Sequence, residues 1–232
     1  LLKKSKLLDR QFDFFTEKVI GLMVDEFTIV ERRSILQLKK EVNKLYLIIQ
    51  EKKELGIPVS KTEMIIIAKQ YYYDKDYTKA IEEFIKIDNE EPNPDACLYL
   101  NLIYIKLQKY DEALTYVNKA IHLRPKYARL YNNRADTYRF MKSFNKAFAD
   151  VTEAIKLDNN YGIAYSTLCE IYADKFEIKE CQEDLDNFYI NMDIAISKGF
   201  DLFSLINDPL YPYIKYKSDP KFIEIMEKHN LI

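Results

Sequence analysis

Small and apolar residues recur along the middle of the chain at the spacing of an α-helical face. Tyr131, Ala135 and Tyr138 are separated by four and three residues, and residues 147–154 repeat that spacing with alanine and valine. Because an α-helix has about 3.6 residues per turn, residues at this spacing lie on one face. Residues 141–143 leave room only for a tight turn. The pattern therefore predicts two antiparallel helices packed through these faces.

The same pattern returns along the chain with a nearly constant period. Tyrosines mark it at Tyr71, Tyr104, Tyr138 and Tyr172, which are 33, 34 and 34 residues apart. A small residue follows nine residues after each tyrosine, at Ala80, Ala113, Ala147 and Cys181. Four residues further on stand Phe84, Val117, Val151 and Leu185. These columns predict four helix–turn–helix repeats, at residues 61–93, 94–127, 128–161 and 162–198.

Several helix starts carry signals of their own. Ser60 and Glu63 have the spacing of a capping box, and Asn93 stands before a proline, as an N-cap does. The Asp-Pro steps at 208–209 and 219–220 predict two further helix starts. The chain has only four glycines in 232 residues, too few for the turns of a sandwich or barrel. The sequence therefore predicts an all-α fold.

Residues in these columns resemble the tetratricopeptide repeat family. In 94–127 the positions that match its motif are Cys97, Leu100, Asn101, Tyr104, Ala113, Val117, Ala120 and Pro125. In 128–161 they are Tyr131, Arg134, Ala135, Tyr138, Ala147, Val151 and Ala154. The resemblance implies a right-handed α-solenoid of helix–turn–helix repeats that serves as an interaction module.

The two ends of the chain do not match the repeat, so non-repeat helices are expected at both. Residues 1–60 predict a helical pair, with a heptad-like apolar seam at Ile35, Leu38, Val42, Leu45 and Ile49. We expect the pair to pack on the first repeat; a coiled coil that makes the chain a dimer is the alternative. Residues 199–232 are expected to form a C-terminal capping segment. The chain begins with Leu1, which suggests a segment cut from a longer protein.

The sequence contains no recognisable catalytic constellation. Its two histidines, His122 and His229, lie far apart, and it has no phosphate-binding loop, nucleophile elbow or His/Cys cluster with metal-ligand spacing. We therefore expect no enzyme activity, no catalytic residue, no metal site and no cofactor.

The three cysteines occupy core columns. Cys97 stands at a bulky position, whereas Cys169 and Cys181 take the two small positions of the fourth repeat. We expect Cys169 and Cys181 to be buried on facing helices. Cysteines without disulfide or zinc spacing fit a reducing compartment, so a cytoplasmic location is expected.

The charge pattern disfavours nucleic acid and membranes as partners. The formal net charge is −2 and the isoelectric point is about 5.9. No apolar run approaches the roughly 18 residues that a membrane span needs. A protein or peptide is the expected partner.

In the resembling family, the first helices of successive repeats line a concave, ligand-binding groove. The residues of this sequence expected to contact a partner are Lys69, Leu98, Tyr99, Leu102, Arg129, Asn132, Asn133, Asp136 and Arg139. Asparagine amides can bond a peptide backbone, and arginine can bind its carboxylates. Leu98, Tyr99 and Leu102 add an apolar wall, which residues 1–55 or a partner should cover.

The leading functional hypothesis is a non-catalytic scaffold that binds a protein or peptide segment in the groove. The alternative is a regulatory or sensor segment of a larger multidomain protein, with the groove filled intramolecularly. The family's best-known ligand mode, a clamp for the acidic tails of chaperones, needs lysine, arginine and asparagine. Leu98, Leu102, Ile163 and Thr167 stand at clamp positions and only Asn133 matches, so chaperone-tail binding is not expected.

Overall fold

The computed structural model describes residues 32–202, 206 and 211–232, with side chains from Asn43 onward. Within these ranges the regular structure is helical, without strands. The helices are α1 (Arg32–Glu54), α2 (Lys61–Tyr73), α3 (Tyr77–Glu90), α4 (Pro94–Lys106), α5 (Tyr110–Leu123), α6 (Ala128–Phe140), α7 (Phe144–Leu157), α8 (Gly162–Lys179), α9 (Gln182–Ser197), α10 (Tyr213–Tyr216) and α11 (Pro220–Lys228). Successive helices pack as α2/α3, α4/α5, α6/α7 and α8/α9. The predicted fold class, all-α with helix–turn–helix repeats, is confirmed.

Side-chain caps stabilise the helix starts that the sequence predicts. The Ser60 hydroxyl accepts from the backbone N–H of Glu63 at 3.3 Å, and the Glu63 carboxylate accepts from the N–H of Ser60 at 2.6 Å. Asn93 caps α4 and Asp219 caps α11, each ahead of a proline. These three starts are confirmed, whereas the start predicted at 208–209 lies outside the described residues.

A residue with left-handed backbone conformation ends the first helix of three pairs. These residues are Lys75, Gln108 and Lys142, with φ of 62°, 58° and 58°. The next residue donates its N–H to the carbonyl of the repeat tyrosine, at 2.9 Å for Tyr71, 2.8 Å for Tyr104 and 2.9 Å for Tyr138. This is the hydrogen bond of the Schellman motif, which satisfies a carbonyl that the helix end leaves unpaired. The period of the tyrosines thus matches the period of the turns.

The small column of the second helices lies in the core. Ala80, Ala113 and Ala147 are fully buried in α3, α5 and α7. The residues four positions later, such as Val117 and Val151, are fully buried as well. A larger side chain at the alanines would force the packed helices apart, at a typical cost of about 1–3 kcal/mol.

The chain divides into two compact units, Leu1–Arg124 and Pro125–Ile232, and each is described by itself. The first unit has a core of fully buried residues from α3 and α4, which include Phe84, Ile87, Leu100 and Ile103. The boundaries predicted for the four repeats and for the two end segments stay predictions.

Helix α1 packs on α2 within the first unit. Leu45 and Ile49, the last two positions of the predicted seam, are fully buried in a cluster with Ile66 and Ile67. These two seam residues are therefore used inside the chain. The other seam side chains and residues 1–31 lie outside the described part, so the second N-terminal helix and the dimer stay predictions.

A buried ion pair fixes the contact between α1 and α2. The Nζ of Lys52 lies 2.7 Å from Oε1 of Glu63, and the two side chains are 7% and 2% exposed. Because Glu63 also caps α2, one carboxylate joins the helix start to the neighbouring helix. Loss of either partner would leave a buried charge uncompensated, which typically costs about 3–5 kcal/mol.

The fourth repeat departs from the predicted register in the second unit. Its first helix, α8, has 18 residues, whereas α2, α4 and α6 have 13 each. Cys181 is consequently the exposed N-cap of α9, and Ile178 is 58% exposed. The prediction that Cys169 and Cys181 are both buried is wrong for Cys181, because the longer α8 shifts every later position. Cys169 is buried as predicted.

Residues 211–232 pack on α8 and α9. Phe222 and Met226 of α11 join Phe188 and Met192 of α9 in a buried cluster. Ion pairs border this cluster, for example between Lys221 and Asp186 at 2.8 Å. Surface ion pairs of this kind contribute only about 0–1 kcal/mol, so apolar burial is the main stabilising contact.

We expect Gln108→Gly to raise the free energy of unfolding by roughly 0.5–1 kcal/mol, because glycine accepts positive φ without a Cβ clash. Gln108→Val should lower it, since β-branched residues are outliers at positive φ. Lys109→Gly, at φ of −97°, is the control in which glycine relieves no strain. Urea unfolding measures all three, and a Gln108→Gly variant less stable than wild type would contradict the strained turn.

Candidate ligand-binding face

In the first unit, two of the predicted ligand residues are packed among helices. Leu98 is 2% exposed and Tyr99 is 4% exposed. The ring of Tyr99 stacks on Phe84 with centroids 5.1 Å apart, and the edge of Tyr72 meets it at 5.3 Å. The Nζ of Lys69 lies 4.9 Å above the Tyr99 ring, within the range of a cation–π contact.

The expectation that Leu98 and Tyr99 form an apolar wall for a ligand therefore needs correction, because both side chains are buried within the first unit. Helix α4 is apolar on most sides, and burial of each large apolar side chain stabilises the fold by about 1.5–3 kcal/mol. Leu102 and Lys69 are half-buried beside the same cluster. These four residues form part of the packing of the free chain, and we do not include them in the ligand surface.

In the second unit, four predicted residues share one face of α6. Arg129, Asn132, Asp136 and Arg139 are spaced three, four and three residues apart, and Asn133 stands at the flank. Arg129 and Asp136 are partly exposed, whereas Asn132 and Asn133 are 4% and 9% exposed. The sequence analysis expected these residues to contact a partner, but Asn132 and Asn133 in the middle of this face are buried in the free chain.

The two asparagines bury polar atoms that have no hydrogen-bond partner in the described part of the chain. The Oδ1 of Asn132 accepts no hydrogen bond, and the Nδ2 of Asn133 donates none. Buried polar groups are nearly always paired, and an unpaired one typically costs about 1–3 kcal/mol. Adjacent residues thus present an acceptor and a donor, the groups with which a peptide backbone forms hydrogen bonds.

Arg139 lies at the other end of this face and is already paired. Its guanidinium lies 2.8 Å from Asp136, 3.2 Å from Glu170 and 3.1 Å from Asp174, and its side chain is 2% exposed. The ring of Phe140 lies 4.2 Å from its Cζ. The expectation that Arg139 contacts a partner is therefore corrected. This arginine joins α6 to α8, and a ligand carboxylate would have to displace carboxylates of the chain.

Glu170 is the most perturbed carboxyl group beside this arginine. The Ser166 hydroxyl donates to Glu170 Oε1 at 3.0 Å, and the Tyr213 hydroxyl lies 3.4 Å from the same oxygen. Burial raises the pKa of Glu170 to about 8, and the carboxylates of Asp136 and Asp174 act in the same direction. The nearby guanidinium and the serine hydrogen bond oppose this shift without cancelling it.

The sequence analysis missed the residues of α8 that complete this network. Ser166, Glu170 and Asp174 follow one another at intervals of four residues, so they share a helical face. A polar stripe on an otherwise apolar helix was the signal that could have identified them.

The described residues contain no group of three or more His, Cys, Asp or Glu side chains arranged to hold a metal ion. The carboxylates of Asp136, Glu170 and Asp174 surround a guanidinium, which takes the place of a cation. A separate finding is that none of the described helices combines the length and the apolar character that crossing a membrane requires.

Comparison with known proteins defines the class of these helix pairs. The family described as tetratricopeptide repeat matches residues 97–127 and 128–161. These ranges coincide with α4 to α7, the pairs with the most regular columns. Residues 97–161 therefore match the tetratricopeptide repeat, as the resemblance in their sequence indicates.

Relatives of known name share part of the chain. It is 28% identical over 149 residues to the Hsp70-Hsp90 organizing protein of Triticum aestivum, covering 53% of this chain and 25% of that protein. It is 26% identical over 157 residues to heat shock protein STI1 of Saccharomyces cerevisiae, covering 64% of this chain and 26% of that protein. The chain thus spans about a quarter of the length of these curated relatives.

A solved structure shares the fold. MamA 41-end from Desulfovibrio magneticus RS-1 superposes with a TM-score of 0.53 at 14% identity. The match covers 80% of this chain and 96% of that one. At this level of identity the likeness concerns the fold alone.

We expect Asn132→Leu to leave the free energy of unfolding unchanged or to raise it by up to about 1–3 kcal/mol, because leucine removes an unpaired acceptor at similar volume. Asn101→Leu is the matched control: its Nδ2 donates to the Ala113 carbonyl at 3.1 Å, so this variant should lose stability. Urea unfolding separates the two. Equal destabilisation of both would show that Asn132 has an internal partner.

We expect Glu170→Gln to reduce the pH dependence of stability. Since the pKa of Glu170 is about 8 in the fold and that of an unfolded glutamate is about 4.3, the folded chain binds the extra proton between these values. Its stabilising contribution is complete below the unfolded value and is lost as pH rises towards about 8. From pH 6 to pH 8, the wild type should lose on the order of 1–3 kcal/mol more than the variant.

The matched control for this experiment is Glu177→Gln, on the same helix but with a side chain that is 36% exposed. This variant should keep the pH dependence of the wild type. Urea unfolding at the two pH values measures the difference. A Glu170→Gln variant with wild-type pH dependence would contradict the assignment.

Proposed function

We propose that this chain is a non-catalytic protein-interaction scaffold that binds an extended segment of a partner protein on one face of α6. This ligand face consists of Arg129, Asn132, Asn133 and Asp136. The observation that supports it best is the buried acceptor of Asn132 beside the buried donor of Asn133, each without a partner in the described chain. Once these side chains turn outward, the backbone N–H and C=O groups of a bound peptide would pair with them.

The dimensions of the ligand face suit a short extended stretch. Arg129 and Asp136 are seven residues apart, which corresponds to about 10 Å along a helix. An extended peptide covers that distance with roughly three residues. In this proposal the amides bind the peptide backbone, and the opposite charges of Arg129 and Asp136 select its orientation.

The relatives support an interaction role but not a chaperone-tail clamp. One relative is named an Hsp70-Hsp90 organizing protein. In this chain Leu98 and Leu102 stand at the first clamp positions, and Leu98 is 2% exposed. Ile163 and Thr167 stand at the third, which leaves Asn133 as the matching residue. We therefore propose a segment bound through its backbone rather than through a terminal carboxylate.

The proposal includes neither a catalytic step nor a cofactor. Burial raises the pKa of the Cys97 thiol to about 12, and the hydrogen bond to Asp88 adds to this effect, so Cys97 is a poor nucleophile. All three cysteines are free thiols, which supports a reducing compartment, and we infer a cytoplasmic location from it.

The test is an array of synthetic peptides probed with the fluorescently labelled full chain. We expect the chain to retain a subset of the peptides. Asn132→Ala and Asn133→Ala should each weaken that binding by about tenfold or more, since one hydrogen bond of about 1.4 kcal/mol corresponds to a factor of ten. Asn145→Ala, at an exposed position of α7, is the matched control and should bind as the wild type does.

Melting temperatures of all variants establish that they are folded. Two results would overturn the proposal. The first is that the chain retains no peptide of the array. The second is that folded Asn132→Ala and Asn133→Ala variants bind the peptides as tightly as the wild type does.

A further inference from the structure

A tyrosine of the C-terminal segment is inserted beside the ligand face. The ring of Tyr213 is fully buried and lies 6.0 Å from Phe188 and 6.3 Å from Phe200. Its hydroxyl lies 3.0 Å from the Ser166 Oγ and donates to the Ser166 carbonyl at 3.2 Å. The same hydroxyl lies 3.4 Å from Glu170 Oε1. The ring of Tyr213 thus packs against other aromatic rings, and its hydroxyl has hydrogen-bond partners.

This tyrosine site is continuous with the ligand face. Asp136 belongs to the ligand face, and Arg139 pairs with both Asp136 and Glu170. Tyr213 contacts Glu170 in turn, and the ring of Tyr211 lies 6.0 Å from the Cζ of Arg139. Tyr211 therefore lies at the end of α6 at which Arg139 stands, and Tyr213 adjoins that end through Glu170.

Residues 211–217 are attached mainly through their tyrosines, whereas residues 220–228 are anchored separately by the buried Phe222 and Met226. Helix α10, which contains Tyr213, has four residues, far fewer than a helix needs for stability in isolation. Its ion pair between Lys215 and Glu177 is exposed, and such pairs contribute little. Residues 211–217 are therefore held by a small number of side chains, which a competing ligand could replace while α11 stays packed on α9.

We propose that Tyr211 and Tyr213 form an internal plug at the C-terminal end of the ligand face, which a bound segment must displace when it extends past Asp136. The inference rests on the proposed function of the ligand face. It adds that the chain itself supplies a competitor for the ligand. The group that would replace this competitor is an aromatic ring with a hydroxyl near Ser166 and Glu170. A partner segment with a tyrosine at that place exchanges with the plug.

The test uses the full chain and a fluorescein-labelled synthetic peptide of residues 208–217 as the probe. A chain with Tyr211→Ala and Tyr213→Ala should bind this peptide at least tenfold more tightly than the wild type, whose site is filled. A peptide that carries Tyr213→Phe should bind severalfold more weakly, because it lacks the hydroxyl. Lys217→Ala, exposed in the same segment, is the control chain and should resemble the wild type.

A second measurement does not depend on the double variant. Ser166→Ala removes one hydrogen-bond partner of Tyr213, so the amide hydrogens of residues 213–216 should exchange severalfold faster. Thr167→Ala is the matched control, because its hydroxyl donates to the Ile163 carbonyl within α8 at 3.2 Å. Unchanged exchange in Ser166→Ala would overturn the proposal, as would failure of a folded double variant to bind the peptide.

These outcomes are distinct from failure of the proposed function. Peptides that bind in an Asn132-dependent manner should bind the double variant at least tenfold more tightly than the wild type. If they bind both equally, the ligand face stands and the plug is overturned. If the array retains no peptide, the proposed function fails, whatever the result with the 208–217 peptide.

Discussion

Close packing between paired helices is the constraint on which the described structure depends. Two helices can approach closely only where the side chains between them are small, and Ala113 and Ala147 meet this condition in full burial. The turn between the two helices of a pair has to reverse the chain within three residues, which places Gln108 and Lys142 at positive φ. Side-chain size and backbone geometry thus recur with the same period.

The second unit adds a different interaction, a buried arginine shared by three carboxylates. Arg139 connects α6 with α8, and burial, together with the neighbouring carboxylates of Asp136 and Asp174, raises the pKa of Glu170 and favours its protonated form. Replacement of such buried charges by apolar residues is often neutral or stabilising, so stability alone does not account for them. Their position offers another account, because they lie between Asp136 of the ligand face and Tyr213 of the C-terminal segment.

The sequence predicted the features that depend on neighbouring residues or on the repeat period. Tyr104, Ala113 and Asn93 stood in columns or caps whose meaning depends on a few neighbouring residues, and these features were confirmed. The exposure of Cys181 was missed because the length of α8 does not follow from the column spacing. The pairing of Arg139 with Asp174 was missed for a related reason. The two residues are 35 positions apart, and the charges on one helix do not reveal which charges face them from another.

A sequence under selection for stability alone would not keep an unpaired amide inside a helix packing, because an apolar residue of the same size removes the penalty. Asn132 and Asn133 stand on a helix whose other buried positions include the apolar Leu130 and Ala135, while its buried Thr137 and Arg139 have polar partners. On α6, the buried amide atoms without a partner therefore belong to Asn132 and Asn133, and they are groups that a peptide backbone can satisfy. A local loss of stability at such a place is common at functional sites, where a ligand recovers it on binding. The same logic explains why the end of this face is closed by tyrosines of the chain itself: a ring with a hydroxyl can satisfy the buried serine and glutamate until a partner segment takes its place.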